Sequence, residues 1–161
     1  MPAIAWLAGP DEAETVADLL VEFRNHMGYT RPSDNALLAG VERLMESMDA
    51  QYLLACPDAD SPPAGVAQLR FRFGIWMAAT DCWLEDLFVS EPARGRGVGA
   101  ALVKTALECA QARGCRRVEL DVNESNAPAL ALYERFGFSA QSKGGAGRDL
   151  FLGRPLEPPE E

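Results

Sequence analysis

Apolar residues recur along this chain in two rhythms, one with the 3.6-residue period of a helix and one with the two-residue period of a strand. Residues 3–8 predict a short first strand, which Gly9-Pro10 breaks. Val16, Leu19, Leu20 and Phe23 then form one apolar face, predicting a helix that Asp11 caps with Glu14 three residues later. Leu37, Leu38, Val41, Leu44, Met45 and Met48 predict a second helix over about 34–48. Tyr52-Leu53-Leu54-Ala55 is an apolar run ending at Pro57, and Asp58-Ala59-Asp60-Ser61-Pro62-Pro63 carries turn chemistry. Residues 64–73 alternate, with Val66, Gln68, Arg70 and Arg72 two apart, and residues 82–89 predict the next strand.

A long helix is expected over about 98–113, between Gly97 and Gly114, followed by a strand over 117–122. Ser125-Asn126 opens a further helix with Pro128 in its first turn, where a missing N–H costs nothing. Phe136-Gly137 ends it, glycine being able to take the left-handed conformation. Residues 148–152 predict a last short strand. The order β-α-α-β-β-β-α-β-α-β implies a single α/β (α+β) domain, a mixed central sheet flanked by helices, over residues 1–156. Residues 157–161 are expected to form a flexible tail. The unit 82–122 is strand, loop, helix, strand, which sets a helix N-terminus at one end of a parallel pair.

Composition narrows the class. At 161 residues, 48% hydrophobic and 24% charged, the chain can bury one proper core. No apolar run approaches the roughly 20 residues of a membrane span. The N-terminus lacks a basic flank and a long apolar stretch, so the expectation is a cytoplasmic protein with no signal peptide and no membrane partner. Cys56, Cys82, Cys109 and Cys115 form no Cys-x-x-Cys pair and have only His26 to join them, so no metal site is expected and the thiols read as small hydrophobes. Residues 94–117 carry six basic side chains against Glu108, a local +5 in a chain of net charge −9, leaving −14 elsewhere. Such an island suits an anionic cofactor and a cationic second substrate, or it is ordinary solvated charge. It is too small for nucleic-acid binding, which needs a wide basic surface.

The chemistry concentrates in Arg94-Gly95-Arg96-Gly97-Val98-Gly99, between a strand and a helix. Glycines let backbone approach a ligand closely, and the first N–H groups of a helix have no partner within it and bind anions. A pyrophosphate suits this loop. The spacing is not that of a dinucleotide-binding fingerprint, and the loop lacks the Lys-Ser/Thr ending of a P-loop.

Arg94-x-x-Gly97-x-Gly99 resembles the R/Q-x-x-G-x-G/A motif of GNAT-type N-acetyltransferases. Leu84-Glu85-Asp86-Leu87-Phe88-Val89 is similar to that superfamily's strand before the loop, above all to polyamine acetyltransferases of the spermidine/spermine type. Asn123-Glu124-Ser125-Asn126-x-x-Ala129-x-x-Leu132-Tyr133-x-x-Phe136-Gly137-Phe138 resembles its second signature, in the same order and spacing. The resemblance implies a GNAT-like domain that takes acetyl-CoA as cosubstrate and acetylates a primary amine, a small cationic one, by direct attack in a ternary complex. It also implies a homodimer by analogy with relatives.

By the same resemblance, the backbone of Leu87, Phe88 and Val89 holds the pantetheine arm, and Arg94, Gly95, Arg96, Gly97, Val98, Gly99 and Ala100 hold the pyrophosphate. Asn126 contacts the cofactor's arm or is a helix N-cap. Tyr133, two turns along the same helix, is the general acid to the departing thiolate, or an amphipathic residue packed beside Phe136. Glu85 is the general base, through water if need be, or a carboxylate that orients the amine. In a regular strand Glu85 and Asp86 point to opposite faces; a bulge would change that. Phe73, Trp76 and Trp83 either line an acceptor pocket or belong to the sheet core, and a lone helical His26 is set aside as structural. Other acceptors, a protein N-terminus, a lysine side chain or an aminoglycoside, stay open, as does an acyl-CoA-binding regulatory module without turnover.

Overall fold

The computed structural model describes residues 2–141 and 144–159. The chain divides into two compact units, Met1–Leu120 and Asp121–Glu161. The first holds five strands, β1 (Ile4–Leu7), β2 (Ala50–Cys56), β3 (Gly65–Gly74), β4 (Ala79–Val89) and β5 (Arg117–Glu119), in the spatial order β1-β2-β3-β4-β5. β1 to β4 pair antiparallel, and β4 pairs parallel with β5. Its helices are α1 (Ala13–His26), α2 (Asp34–Glu46) and α3 (Val98–Ala112). The mixed α/β class expected from the pattern is the one observed.

The strand alternation explains the two cores. Tyr52, Leu54, Val66 and Phe88 join Val16, Ala17 and Leu19 of α1 and Val41 of α2 in one buried cluster. Leu53, Ala55, Ala67 and Leu69 alternate with them and so face the other way, towards α3, whose Leu102, Val103 and Ala106 are buried. With both faces covered, β2 reads as the near-continuous apolar run seen in the sequence. Leu53 and Leu54 are both fully buried, each contributing about 1.5–3 kcal/mol. All four cysteines are free thiols, and burial pushes the Cys82 thiol up to about 12.

Several local expectations need correcting. Asp11 does not cap α1. A single 3-10 turn, Pro10–Glu12, leads into the helix instead, and the Glu12 carboxylate accepts from Gly9 N–H at 3.1 Å and from Trp6 Nε1 at 3.1 Å. The capping partner is therefore one residue later, anchored by an indole that the helical pattern did not include. The strand after α3 stops at Glu119 rather than reaching Val122. Among the described residues, 148–152 form no strand, and Leu150, Phe151 and Leu152 are exposed, so the run does not bury the apolar side chains that suggested it. Phe73 and Trp76 are neither core nor cavity lining, since they are exposed at the β3–β4 hairpin tip. The tail expected over 157–161 lies partly outside the described residues, at Glu160 and Glu161.

In the second unit, α4 (Ala127–Arg135) carries Pro128 in its first turn. Gly137 takes φ 88°, the N–H of Phe138 bonds the Tyr133 carbonyl at 3.1 Å, and that of Gly137 bonds Glu134 at 3.0 Å. This is the glycine-ended helix the sequence predicts. Among the described residues no helix is long and apolar enough to cross a membrane.

Gly65 sets how closely α3 approaches the sheet. A Cβ there would lie 2.5 Å from Val98 Cγ1 and 3.1 Å from Leu102 Cδ1. Gly65→Ala is expected to push back the first turn of α3 and cost about 1–3 kcal/mol in urea unfolding; an unchanged midpoint would contradict this packing.

Candidate acceptor and cofactor sites

β3 and β4 pair regularly from Gly65↔Val89 to Gln68↔Asp86, and again from Leu69↔Leu84 to Gly74↔Ala79. Glu85 falls between the two runs without an opposite residue, which makes it a β-bulge. The extra residue reverses the phase of the strand. Before it, Trp83 lies opposite Arg70; after it, Asp86 lies opposite Gln68 and Phe88 opposite Val66, all on the α1–α2 side. Regular alternation would have sent Glu85 and Asp86 to opposite faces. The bulge instead brings both to one cavity of about 440 Å³, lined also by α1, α2 and the segment between them.

The sheet wall of that cavity holds a short polar chain. Tyr52 Oη donates to Gln68 Oε1 at 2.8 Å, and Gln68 Nε2 donates to Glu85 Oε2 at 2.7 Å. The tyrosine fixes the amide so that its NH₂ points at the carboxylate. Arg70 Nη1 stands 3.8 Å from the same Glu85 oxygen, and both side chains are nearly half exposed, so this ion pair is loose. Burial, followed by the Asp86 and Glu85 charges, raises the Tyr52 phenol well above its ordinary 10.0, so it serves as a fixed donor. Tyr52 and Gln68 escape a reading by pattern, because the first looks like one more apolar residue of a buried run and the second like one of an alternating set. The available signal was a lone glutamine between the apolar Ala67 and Leu69, which the structure holds at 6% exposure.

The opposite edge of β4 leads to the candidate cofactor site. β5 pairs with β4 only from Asp81 to Trp83, so the edge from Leu84 to Val89 runs on past the β5 ladder. After a 3-10 turn, Glu91–Ala93, the chain enters the glycine loop, where Gly95 (φ 75°) and Gly97 (φ 84°) take left-handed conformations that L side chains disfavour. The first bond into α3 runs from Ala101 N–H to Gly97 O at 3.0 Å, so the N–H groups of Val98, Gly99 and Ala100 precede the helical ladder. An extended edge strand leading to a ring of donors at a helix start fits an arm ending in a pyrophosphate.

The basic island is partly structural. Arg94 Nε donates to Val89 O at 3.0 Å, and Arg96 pairs with Asp58 at 2.9 Å. Bonds from Ser61, the Asp60 N–H and Arg96 together outweigh desolvation and hold the Asp58 carboxyl below its usual value. Arg113 stacks 3.8 Å over the Phe71 ring, and Arg117 pairs with Glu119. In the second unit, Asn126 Oδ1 accepts from Ala129 N–H at 3.3 Å, as a helix N-cap does. Tyr133 is buried at 8% exposure, with its ring edge-on to that of Phe138 at 6.0 Å. Among the described residues no group of three or more His, Cys, Asp or Glu is placed to hold a metal.

The profile of the Acetyltransferase (GNAT) family matches residues 14–138. The chain belongs to the GNAT family. Its relatives include a candidate ribosomal-protein-bS18-alanine N-acetyltransferase of Bacillus subtilis (strain 168), 32% identical over 58% of this chain and 57% of that one. Another is the thialysine N-epsilon-acetyltransferase of Bos taurus, 28% identical over 73% of this chain and 71% of its own length. The chain thus spans little more than half the length of the Bacillus relative. The crystal structure of a candidate acetyltransferase from Arthrobacter sp. FB24 superposes with a TM-score of 0.84 at 29% identity, covering 95% of this chain and 96% of that one. An aminoglycoside N-acetyltransferase in complex with CoA, 21% identical with a TM-score of 0.74 over 94% of both chains, shares the fold. Acetyl-CoA is the acetyl donor of GNAT enzymes, which accords with the extended edge and the glycine loop described above.

Gln68→Leu strands the Tyr52 hydroxyl in a buried place. A loss of about 1–3 kcal/mol is expected in denaturant unfolding, and the double variant Tyr52→Phe/Gln68→Leu should recover part of it. No recovery would contradict the chain of bonds.

Proposed function

We propose that this GNAT protein transfers the acetyl group of acetyl-CoA to a small primary amine bound beside Glu85 and Asp86. One observation carries the reading: the bulge at Glu85, which turns two adjacent carboxylates into the same 440 Å³ cavity. An amine arrives as an ammonium, near pKa 10, and must lose a proton before it can attack. Two carboxylates attract the cation, and Glu85, held by Gln68, takes the proton directly or through water. The nitrogen then attacks the thioester carbon, the new N–C bond forms, and the C–S bond breaks. Tyr133 donates its phenolic proton to the leaving thiolate, and the proton shed by the new amide nitrogen restores the phenol.

In the same reading, the backbone of Leu87, Phe88 and Val89 binds the pantetheine arm, and residues 94–100 bind the pyrophosphate. Asn126 offers its amide NH₂ to the arm while its Oδ1 caps α4. Arg94 and Arg96 keep part of their charge for the phosphates while bracing the loop through Val89 and Asp58. The domain is taken as 1–156, cytoplasmic and homodimeric. The acceptor class includes polyamines and amino-acid-like amines. Support for the former is the spermine/spermidine N(1)-acetyltransferase of Bacillus subtilis, 37% identical over 35% of this chain and 38% of that one.

Release of CoA thiol from acetyl-CoA, followed across a panel of amines, tests the activity. Turnover on small amines is expected; CoA binding without turnover on any amine would instead mark an acyl-CoA-binding regulatory module. Glu85→Gln should lower kcat/KM for the amine by about 10²-fold or more, most strongly at low pH. A uniform, small loss would leave Glu85 only an orienting role. Tyr133→Phe should reduce kcat by a similar factor, about 10²-fold, with the affinity for CoA nearly intact. Unchanged turnover would remove Tyr133 as the acid.

A further inference from the structure

Resting on that acceptor reading, we propose that the amine substrate also carries a carboxylate, bound by Arg31, so that the acceptor is amino-acid-like rather than a polyamine. The cavity is lined by two carboxylates, Glu85 and Asp86, and by three arginines, Arg24, Arg31 and Arg70. The arginines are not equivalent. Arg24 is committed to the protein: it donates to Pro32 O at 2.7 Å, pairs with Asp34 at 2.7 Å, and bonds Asn25 Oδ1 at 3.0 Å. That arginine holds the α1–α2 segment in place and has no fork left for a ligand. Arg70 stands 3.8 Å from Glu85 and balances part of the acidic end.

Arg31 differs from both. It lies on the segment between α1 and α2, so it belongs to the helical wall, whereas Glu85 and Asp86 belong to the sheet wall. It is exposed and makes no hydrogen bond or ion pair among the described residues. With Arg24 neutralised by Asp34, the cavity presents two negative charges on one wall against Arg31 and Arg70. A polyamine entering it would bring a second cation into the reach of two guanidinium groups, an arrangement that repels. An ammonium paired with a carboxylate meets opposite charge at both ends. The planar fork of Arg31 suits a carboxylate, which it can bind through two parallel N–H···O bonds.

Titration calorimetry in the presence of CoA tests this with matched pairs: lysine against cadaverine, its decarboxylated counterpart, and alanine against ethylamine. The acid-bearing member of at least one pair should bind about ten-fold or more tightly than its partner, the size expected of one charge-assisted bond. Arg31→Gln should abolish that advantage by weakening the acid-bearing member without weakening the plain amine, with an unaltered thermal midpoint. Plain amines that bind as tightly as their acid counterparts, or an Arg31→Gln variant that weakens both alike, would overturn the proposal. So would the absence of binding by every member. The two readings fail separately: acid-selective binding without thiol release removes acetyl transfer alone, and thiol release that favours cadaverine over lysine removes the carboxylate alone.

Discussion

The cavity proposed for the acceptor depends on one residue too many in β4. Opposite Gln68 and Leu69 the strand spends three residues, Leu84, Glu85 and Asp86, and the surplus reverses which side chains face α1 and α2. Without it, Asp86 and Phe88 would turn towards α3, and Phe88 would leave the cluster that seats α1. The bulge therefore serves packing and chemistry together. Regular pairing on either side keeps it in register, and the bond from Gln68 to Glu85 ties the surplus carboxylate to β3.

In the proposed function the same strand serves the donor from its other edge. β4 outruns β5, and its end leads through Glu91–Ala93 into the glycine loop and α3. Gly65 lets α3 sit close on β3, and Arg94 and Arg96 fasten the loop to the end of β4 and to the turn at Asp58. The proposed donor loop and acceptor carboxylates are thus two products of one strand, set a few residues apart.

Much of this was legible in the sequence, and the omissions have physical causes. Among the described residues, helical and strand patterns located the four α-helices and the five strands. The glycine loop declared itself through residues whose φ only glycine adopts easily, Gly95 and Gly97. Period-two reasoning failed at Glu85, since a bulge is a relation between two strands and leaves no trace in one. The run at 148–152 has the composition of a strand but is not one among the described residues, because composition alone does not bury it. Tyr52 and Gln68 were visible only as members of patterns, and their bond became apparent once β2 and β3 were set side by side. The Asn126 cap and the glycine end of α4, by contrast, are local in the chain and were read directly.

In the proposed mechanism the bulge at Glu85 delivers two carboxylates to the acceptor amine, and a crystal structure of the protein with CoA and an amine it acetylates is the test. The acceptor nitrogen is expected in the cavity beside α1 and α2, within about 3 Å of a Glu85 or Asp86 oxygen or one water away. A regular β3–β4 ladder with the two carboxylates on opposite faces, or an amine bound clear of both, would contradict it.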